Sequence, residues 1–374
     1  MLDIILVKES SLPLHLQLLD ELRHRIKSGS LKPHDRLPGE WELVAALDIS
    51  RATIQRAWQA AQEEGLIYRI TGKGTFVAEP PALPSSNIVG FLIPEYRGTF
   101  AVQMLNGAEQ VLRRSGMRVQ FASTDRNPNE EQRLLQDLAQ ANASGCIMVP
   151  STDSVQHGLD IAKGIRFPIV LMDRPVNGVS LPCVTSNNYE GGVQAIQHLI
   201  GLGHKRILFV ARPHLNLYPV AERYRAYHDT MTSAALTALP PFLLKTNREM
   251  SSYEAYLQRN DSEFEALINL LRSSDQERPT AIFAVNDWIA IKVQRAITSA
   301  GLRNPDDISL VGFDDLDIAQ YQTPPLTTVA QNAASIGAEA ARRLITMIEG
   351  EQYESILTLI PTHLIERGST APPK

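Results

Sequence analysis

Six polar residues stand in pairs directly behind short apolar runs: Asp173 and Arg174 after VLM, Asn286 and Asp287 after IFAV, Asp314 and Asp315 after VGF. Carboxylate, guanidinium and amide groups can each form two hydrogen bonds to vicinal hydroxyls, which suits a sugar or another polyol. Phe100 and Trp288 could cover the apolar face of such a ligand. Each polar residue also has a plainer use. An Asp at the end of a strand often caps the following helix, and for Asp287 and Asp315 the two uses weigh evenly. Asn286 and Asp314 favour the pocket. Arg223, in AERYRAY, favours it too, with a solvated helix charge as the alternative. Tyr96 and Tyr189 stay undecided.

A second constellation lies near the N-terminus. Ser50 is a good helix N-cap, and the helix it opens carries Arg51, Thr53, Gln55 and Arg56, with no acidic residue from 50 to 62. The positive end of the helix dipole adds to this charge. Such a helix suits a DNA major groove, with Arg able to meet guanine and Gln adenine. Downstream, Gly72 and Gly74 would let a hairpin backbone approach a phosphate, and Lys73 supplies charge. The alternative is a module of the same shape used for protein contact.

The elements that must position these groups can be read from periodicity. Leu16, Leu19, Leu22 and Ile26 form one apolar helical face ending at Gly29. A short helix follows with Trp41, Val44 and Leu47, then a turn, then the helix from Ser50 with Ile54, Ala57, Trp58 and Ala61 inward. LIYRI and TFVA, joined by TGKG, read as a hairpin. This order is a winged helix-turn-helix over residues 1–78. The proline-bearing stretch AEPPALPSSN gives a linker over 79–87. Residues 88–374 alternate apolar strands (NIVGFLIP, MRVQFAS, GCIMVP, PIVLMD, RILFVA, TAIFAV, ISLVGF) with amphipathic helices. That pattern predicts a doubly wound parallel α/β fold, long enough for two lobes, whose ligands bind beyond the carboxyl ends of strands.

Composition narrows the function. With 44% apolar and 21% charged residues the 374-residue chain is ordinary globular protein. The net charge is −5, but residues 1–78 hold ten basic and ten acidic side chains, so DNA must be met by a local patch. Cys146 and Cys183 sit in apolar runs and read as buried thiols in a reducing cytoplasm. No apolar run reaches the roughly 18 residues of a membrane span, and the start MLDIILVKES is no secretory signal. Phosphate-loop, dinucleotide, nucleophile-elbow and zinc signatures are missing, so the chain reads as no enzyme, with no catalytic residue, metal or cofactor.

From Pro13 to Val77 the chain resembles the GntR-type winged helix, on PLHLQLLDELRHRIKSGSLKPHDRLPGEWEL, ISRATIQRAW, EEGLIYR and GKGTFV. The resemblance implies DNA contacts from Arg36, Ser50, Arg51, Thr53 and the wing residues Lys73, Gly74 and Thr75. Trp41, Ala52 and Gln55 depart from residues common in that family, which leaves the operator open. The large module resembles the LacI/GalR-type effector domain, related to periplasmic sugar-binding proteins. It does so on FPIVLMDRPV, VTSNNYEGG, HLIGLGHKRILFV, ERYRAY, PTAIFAVNDWIAI, ISLVGFDDLDIAQY and PPLTTVAQ. That resemblance implies effector contacts from Phe100, Asp173 or Arg174, Arg223, Asn286, Trp288 and Asp314. Ala226 stands where glycine is usual, and the family's own DNA module and hinge helix are replaced. The chimera is similar to arabinose-responsive repressors. It implies a cytoplasmic homodimer that reads a palindromic double-stranded operator and is released when a small carbohydrate closes the lobes. A corepressor-dependent or activating regulator, sensing a nucleoside, sugar phosphate or other polar metabolite, is the alternative. The linker is expected to contact the effector lobe.

Overall fold

The computed structural model describes residues 13–63, 65–78, 86–95, 99–152, 154, 157, 167–244, 261–274, 277–351 and 356–374. Contacts divide the chain into two compact units, Met1–Ser85 and Ser86–Lys374. Most of the expected linker, and Tyr96, lie outside the described residues.

In the first unit, α1 (Leu14–Lys27), α2 (Glu40–Leu47) and α3 (Arg51–Glu63) precede an antiparallel hairpin of β1 (Ile67–Ile70) and β2 (Gly74–Val77). Leu18, Leu19 and Leu22 of α1 meet Ile54, Ala57, Trp58 and Ala61 of α3 in one apolar core, closed below by Ile67 and Val77. Leu18 is fully buried, whereas Leu16 is only half-buried, so the inward face of α1 is rotated from the expected one. Residues 34–37 lie along β2 almost as a third strand, with His34 N donating to Val77 O and Leu37 N to Thr75 O. His34 is exposed, with its Nδ1 3.0 Å from Tyr68 Oη.

Among the described residues the second unit holds two six-stranded sheets. The first lobe contains β3 (Ile88–Ile93), β4 (Arg118–Ser123), β5 (Gly145–Met148), β6 (Ile169–Met172) and β7 (Cys183–Ser186), all paired in parallel. Helices α4 (Thr99–Arg114) and α5 (Pro128–Gln140) connect the first of these strands. The chain then crosses at Asn187 into α6 (Asn188–Gly201), β8 (Ile207–Ala211), α7 (Tyr218–Ser233) and β9 (Phe242–Leu243). It continues through α8 (Ser262–Leu271), β10 (Ala281–Ala284), α9 (Asp287–Ser299), β11 (Ser309–Asp314) and β12 (Thr327–Gln331). With β14 (Thr362–Ile365), these strands build the second lobe's sheet in the order β14-β12-β11-β10-β8-β9. At Asn332 the chain returns to the first lobe with α10 (Ala333–Ile348) and β13 (Leu357–Ile360), and at Pro361 it crosses once more to place β14 (Thr362–Ile365) beside β12. Three chain crossings therefore join the lobes.

Near-complete burial of β5, β6, β7, β8 and β10 explains why they read as continuous apolar runs. Helices α4 and α10 cross backbone to backbone. A Cβ on Gly107 would come within 1.9 Å of Ala334 O, and one on Gly337 within 1.8 Å of Met104 O. Ala226 closes on Gly192, whose own Cβ would come within 2.7 Å of the Ala226 methyl, so Gly192 makes the room that a glycine at 226 would otherwise make. Cys146 and Cys183 are buried free thiols, and burial raises both thiols far above their ordinary range. No helix among the described residues is long and apolar enough to cross a membrane.

Candidate functional site

The N-terminal end of α3 is organised by Ser50. Its hydroxyl accepts from Thr53 N at 3.1 Å and lies 2.8 Å from Thr53 Oγ1. Arg51, Gln55 and Arg56 are exposed on this helix, and Thr53 is half-buried. One acidic residue, not singled out in the sequence, gathers Arg51 and Gln55. Glu40, at the start of α2, accepts from Arg51 Nε at 2.8 Å and Gln55 Nε2 at 3.1 Å, and Arg69 Nη2 donates to its other oxygen. The hydrogen bond from Arg51, ahead of those from Arg69 and Gln55, holds the Glu40 carboxyl below its ordinary range against the desolvation that raises it. The Arg51 guanidinium also stands 5.1 Å above the ring centroid of Trp41, which is 68% exposed. In the hairpin, Lys73 is exposed at the tip. Gly74 has φ +122°, and a Cβ there would come within 3.1 Å of Arg36 Nε. Arg36 is exposed beside the hairpin. Thr75 is buried, with Arg69 Nε 3.4 Å from its hydroxyl, so its side chain faces the protein.

The second site is a cavity of about 320 Å³ at the carboxyl ends of strands from both lobes. Phe100, Asp173, Arg174, Arg223, Asn286, Trp288 and Asp314 all line it. Its centre is Arg223 on α7, which is buried. Arg223 Nε donates to Asn188 Oδ1 at 2.9 Å and Nη1 to Val285 O at 2.7 Å, and Nη1 lies 3.5 Å from Asp314 Oδ1. Its guanidinium stacks 3.6 Å from the Phe313 ring centroid. Desolvation lowers the Arg223 pKa, opposed chiefly by Asp314, but a guanidinium stays charged at any working pH. Asp314 also accepts from Gln331 Nε2 at 2.6 Å. Burial pushes its carboxyl up to about 6, against the pull of Arg223 and Gln331. Asp173 and Arg174 contact each other at 3.3 Å.

Strain marks the same positions. Asp173 has φ 66° and Asp314 φ 113°, left-handed values that cost an L-residue energy and place both carboxylates at the cavity wall. Asn286 both caps α9, accepting from Ile289 N at 3.0 Å, and lines the cavity, so its two readings hold together. Asp287 and Asp315 do not line it. Asp287 is fully buried and accepts from Leu316 N at 2.8 Å and Thr328 Oγ1 at 2.6 Å. Asp315 pairs with Arg367 at 2.7 Å. Tyr189 donates to Asp229 at 3.2 Å and does not line the cavity.

Several lining residues escaped the sequence reading: Glu95, Arg126, Ser151, Arg212, His214 and Gln331. The missed signal was the rule already in use. Arg212 follows β8, Ser151 follows β5 and Gln331 ends β12, so each is a polar residue at a strand's carboxyl end. Glu95 follows β3 and holds Arg126 in an ion pair. Charges of both signs, amides, a hydroxyl and two aromatics around a cavity of this size suit a monosaccharide-sized polar ligand. No cluster of metal-ligating side chains is present among the described residues.

Comparison with known proteins assigns both units. Residues 14–77 match the family model "Bacterial regulatory proteins, gntR family", and residues 196–370 match "Periplasmic binding protein-like domain". The chain is 32% identical over 372 residues to the arabinose metabolism transcriptional repressor of Geobacillus stearothermophilus, covering 97% of this chain and 99% of that protein. It is 26% identical to the HTH-type transcriptional repressor PurR of Aliivibrio salmonicida, over 86% of this chain and 91% of that one. Among solved structures, a complex of the transcriptional regulator CelR with cellobiose aligns with a TM-score of 0.66 at 24% identity, over 87% of this chain and 94% of that one. A periplasmic binding protein/LacI transcriptional regulator of Alkaliphilus metalliredigens complexed with D-xylulofuranose gives 0.64 at 24%, over 76% and 99%. These last two show the fold. The full-length match shows the rest: the chain belongs to the family of transcriptional repressors that join a GntR-type DNA-binding domain to a periplasmic-binding-protein-like effector domain.

Proposed function

We propose that the chain is a cytoplasmic, sugar-responsive repressor that acts by binding, not by turnover. Residues 1–78 read DNA, 79–87 connect and 88–374 sense the effector. Two copies pair, and their recognition helices meet the half-sites of a palindromic operator. Arg36, Ser50, Arg51, Thr53, Gln55, Lys73 and Gly74 form the DNA surface, with Thr75 supporting the wing from inside. Phe100, Asp173, Arg174, Arg223, Asn286, Trp288 and Asp314 hold the sugar. Arabinose is the first candidate, because the relative that matches along nearly the whole chain is named for its metabolism. The effector shifts the protein only through its different affinity for the open and closed arrangements, and closing the lobes lowers affinity for DNA.

The observation that carries this reading is the convergence of polar strand ends from both lobes on one cavity. The test is a thermal-shift screen of monosaccharides and sugar phosphates, followed by fluorescence anisotropy on a duplex selected by the protein from a randomised pool. A sugar that raises Tm by mass action should raise the Kd for that duplex at least tenfold. A protein that selects no duplex, or whose duplex affinity ignores every stabilising sugar, refutes the proposal.

A further inference from the structure

Behind the first-lobe wall of the cavity lies a buried polar cluster that the effector contacts described above do not use. Glu131, on α5, is a carboxylate with no exposed surface. Its Oε2 accepts twice from Ser151, from the backbone N at 2.7 Å and from the hydroxyl at 2.6 Å. Its Oε1 lies 2.6 Å from Nε2 of buried His157. Thr124, also fully buried, has its hydroxyl 2.7 Å from Ser151 Oγ. Ser151 itself lines the cavity.

Counting protons fixes the direction of these bonds. Ser151 owns one hydroxyl proton, and it goes to Glu131 Oε2. That oxygen also receives the Ser151 backbone N–H, so both hydrogen bonds of this pair run from Ser151 to Glu131. The contact with Thr124 can then run only one way, with Thr124 donating to Ser151. A serine hydroxyl has one donor and two acceptor sites. The donor and one acceptor site are used inside the protein, and only an acceptor site remains for a ligand.

We infer that Ser151 is a fixed hydrogen-bond acceptor toward the effector, its polarity set by buried Glu131 and Thr124. The ligand group at this end of the cavity is therefore a donor, such as a free sugar hydroxyl, and not a phosphate or carboxylate oxygen. Glu131 is a positioning residue, acting through Ser151 without reaching the ligand. The inference rests on the sugar-binding reading above and narrows it to effectors unmodified at this point. A phosphate oxygen facing Ser151 would set acceptor against acceptor and leave both unpaired, the kind of mismatch that discriminates strongly in a closed site.

The test uses the full chain and isothermal titration calorimetry. L-arabinose, D-ribose, D-xylose, D-galactose and cellobiose are titrated first. If none binds, the sugar-binding reading fails and this inference falls with it. For a sugar that binds, each monodeoxyfluoro analogue is titrated next, because fluorine can accept weakly but cannot donate. One position should show a loss of tenfold or more in the wild type, and Ser151→Ala should shrink that loss to under threefold while leaving the losses at other positions unchanged. If no position responds to Ser151→Ala while the parent sugar binds, the inference is wrong and the sugar reading stands. A crystal structure of the wild-type complex reads the same point without a variant. A sugar hydroxyl within hydrogen-bond distance of Ser151 Oγ supports the inference, and an anionic oxygen there overturns it.

Discussion

Asp314 and Arg223 are a buried pair whose fit is incomplete: 3.5 Å separates them, and desolvation is the leading influence on both. A ligand hydroxyl that accepts from one and donates to the other would improve both environments. Arg223→Ala should therefore leave duplex affinity within about threefold of the wild type and abolish release by sugar, as anisotropy would show. Asp314→Asn should weaken sugar binding by at least tenfold in calorimetry. The same carboxyl predicts a pH dependence. Its folded-state pKa, about 6, lies above its ordinary 3.8, so the folded protein favours the protonated form. The stabilisation from this group is full below the unfolded value and is lost as pH rises through about 6. His198 and His204, whose pKa values burial lowers, act in the opposite direction. Comparison with Asp314→Asn separates the two: the Tm advantage of wild type over this variant should grow as pH falls from 7.5 to 5.5. At the DNA surface, Arg51→Ala should cost about 1–3 kcal/mol of operator affinity with sugar binding intact.

Helix termini and helix crossings set those side chains in place. Ser50→Ala removes the side-chain cap at the start of α3 and should cost the N-terminal unit about 1 kcal/mol, measurable by denaturant unfolding. The α4–α10 crossing is less forgiving. With backbone carbonyls under 2 Å from any added Cβ, Gly107→Ala or Gly337→Ala must push the helices apart and lower Tm by several degrees. The helix order of the N-terminal unit, its wing and the strand–helix alternation were legible because each rests on local periodicity or capping. Tertiary placement was not. Asp287 and Asp314 both stand behind apolar strand runs in the sequence, yet one is buried on Thr328 and the other lines the cavity, a difference made by residues 41 positions and 17 positions away. Glu40 was unreadable for the same reason, since its partners Arg51, Gln55 and Arg69 come from a different helix and a strand. Arg212, Ser151 and Gln331 were readable, had the strand-end rule been applied to every strand.

For the whole molecule, the chain's acidity and the neutral balance of residues 1–78 make DNA affinity depend on a few cations. Lys73→Ala should reduce the slope of log Kd against log salt by about one, with sequence preference unchanged. The sensor unit is bound together by its connectivity. The first lobe lacks α10 and β13, and the second lacks β14, until the chain has crossed at Asn332 and Pro361. On the ribosome, then, neither half can finish on its own. The first half, although mostly synthesised early, waits for residues 333–360 to cover α4 and extend β7, and the other half waits for the strand that follows. A nascent chain stalled near residue 332 would present two unfinished sheet edges at once, β7 without β13 and β12 without β14. Native sensing therefore waits until residues 333–365 have joined both lobes.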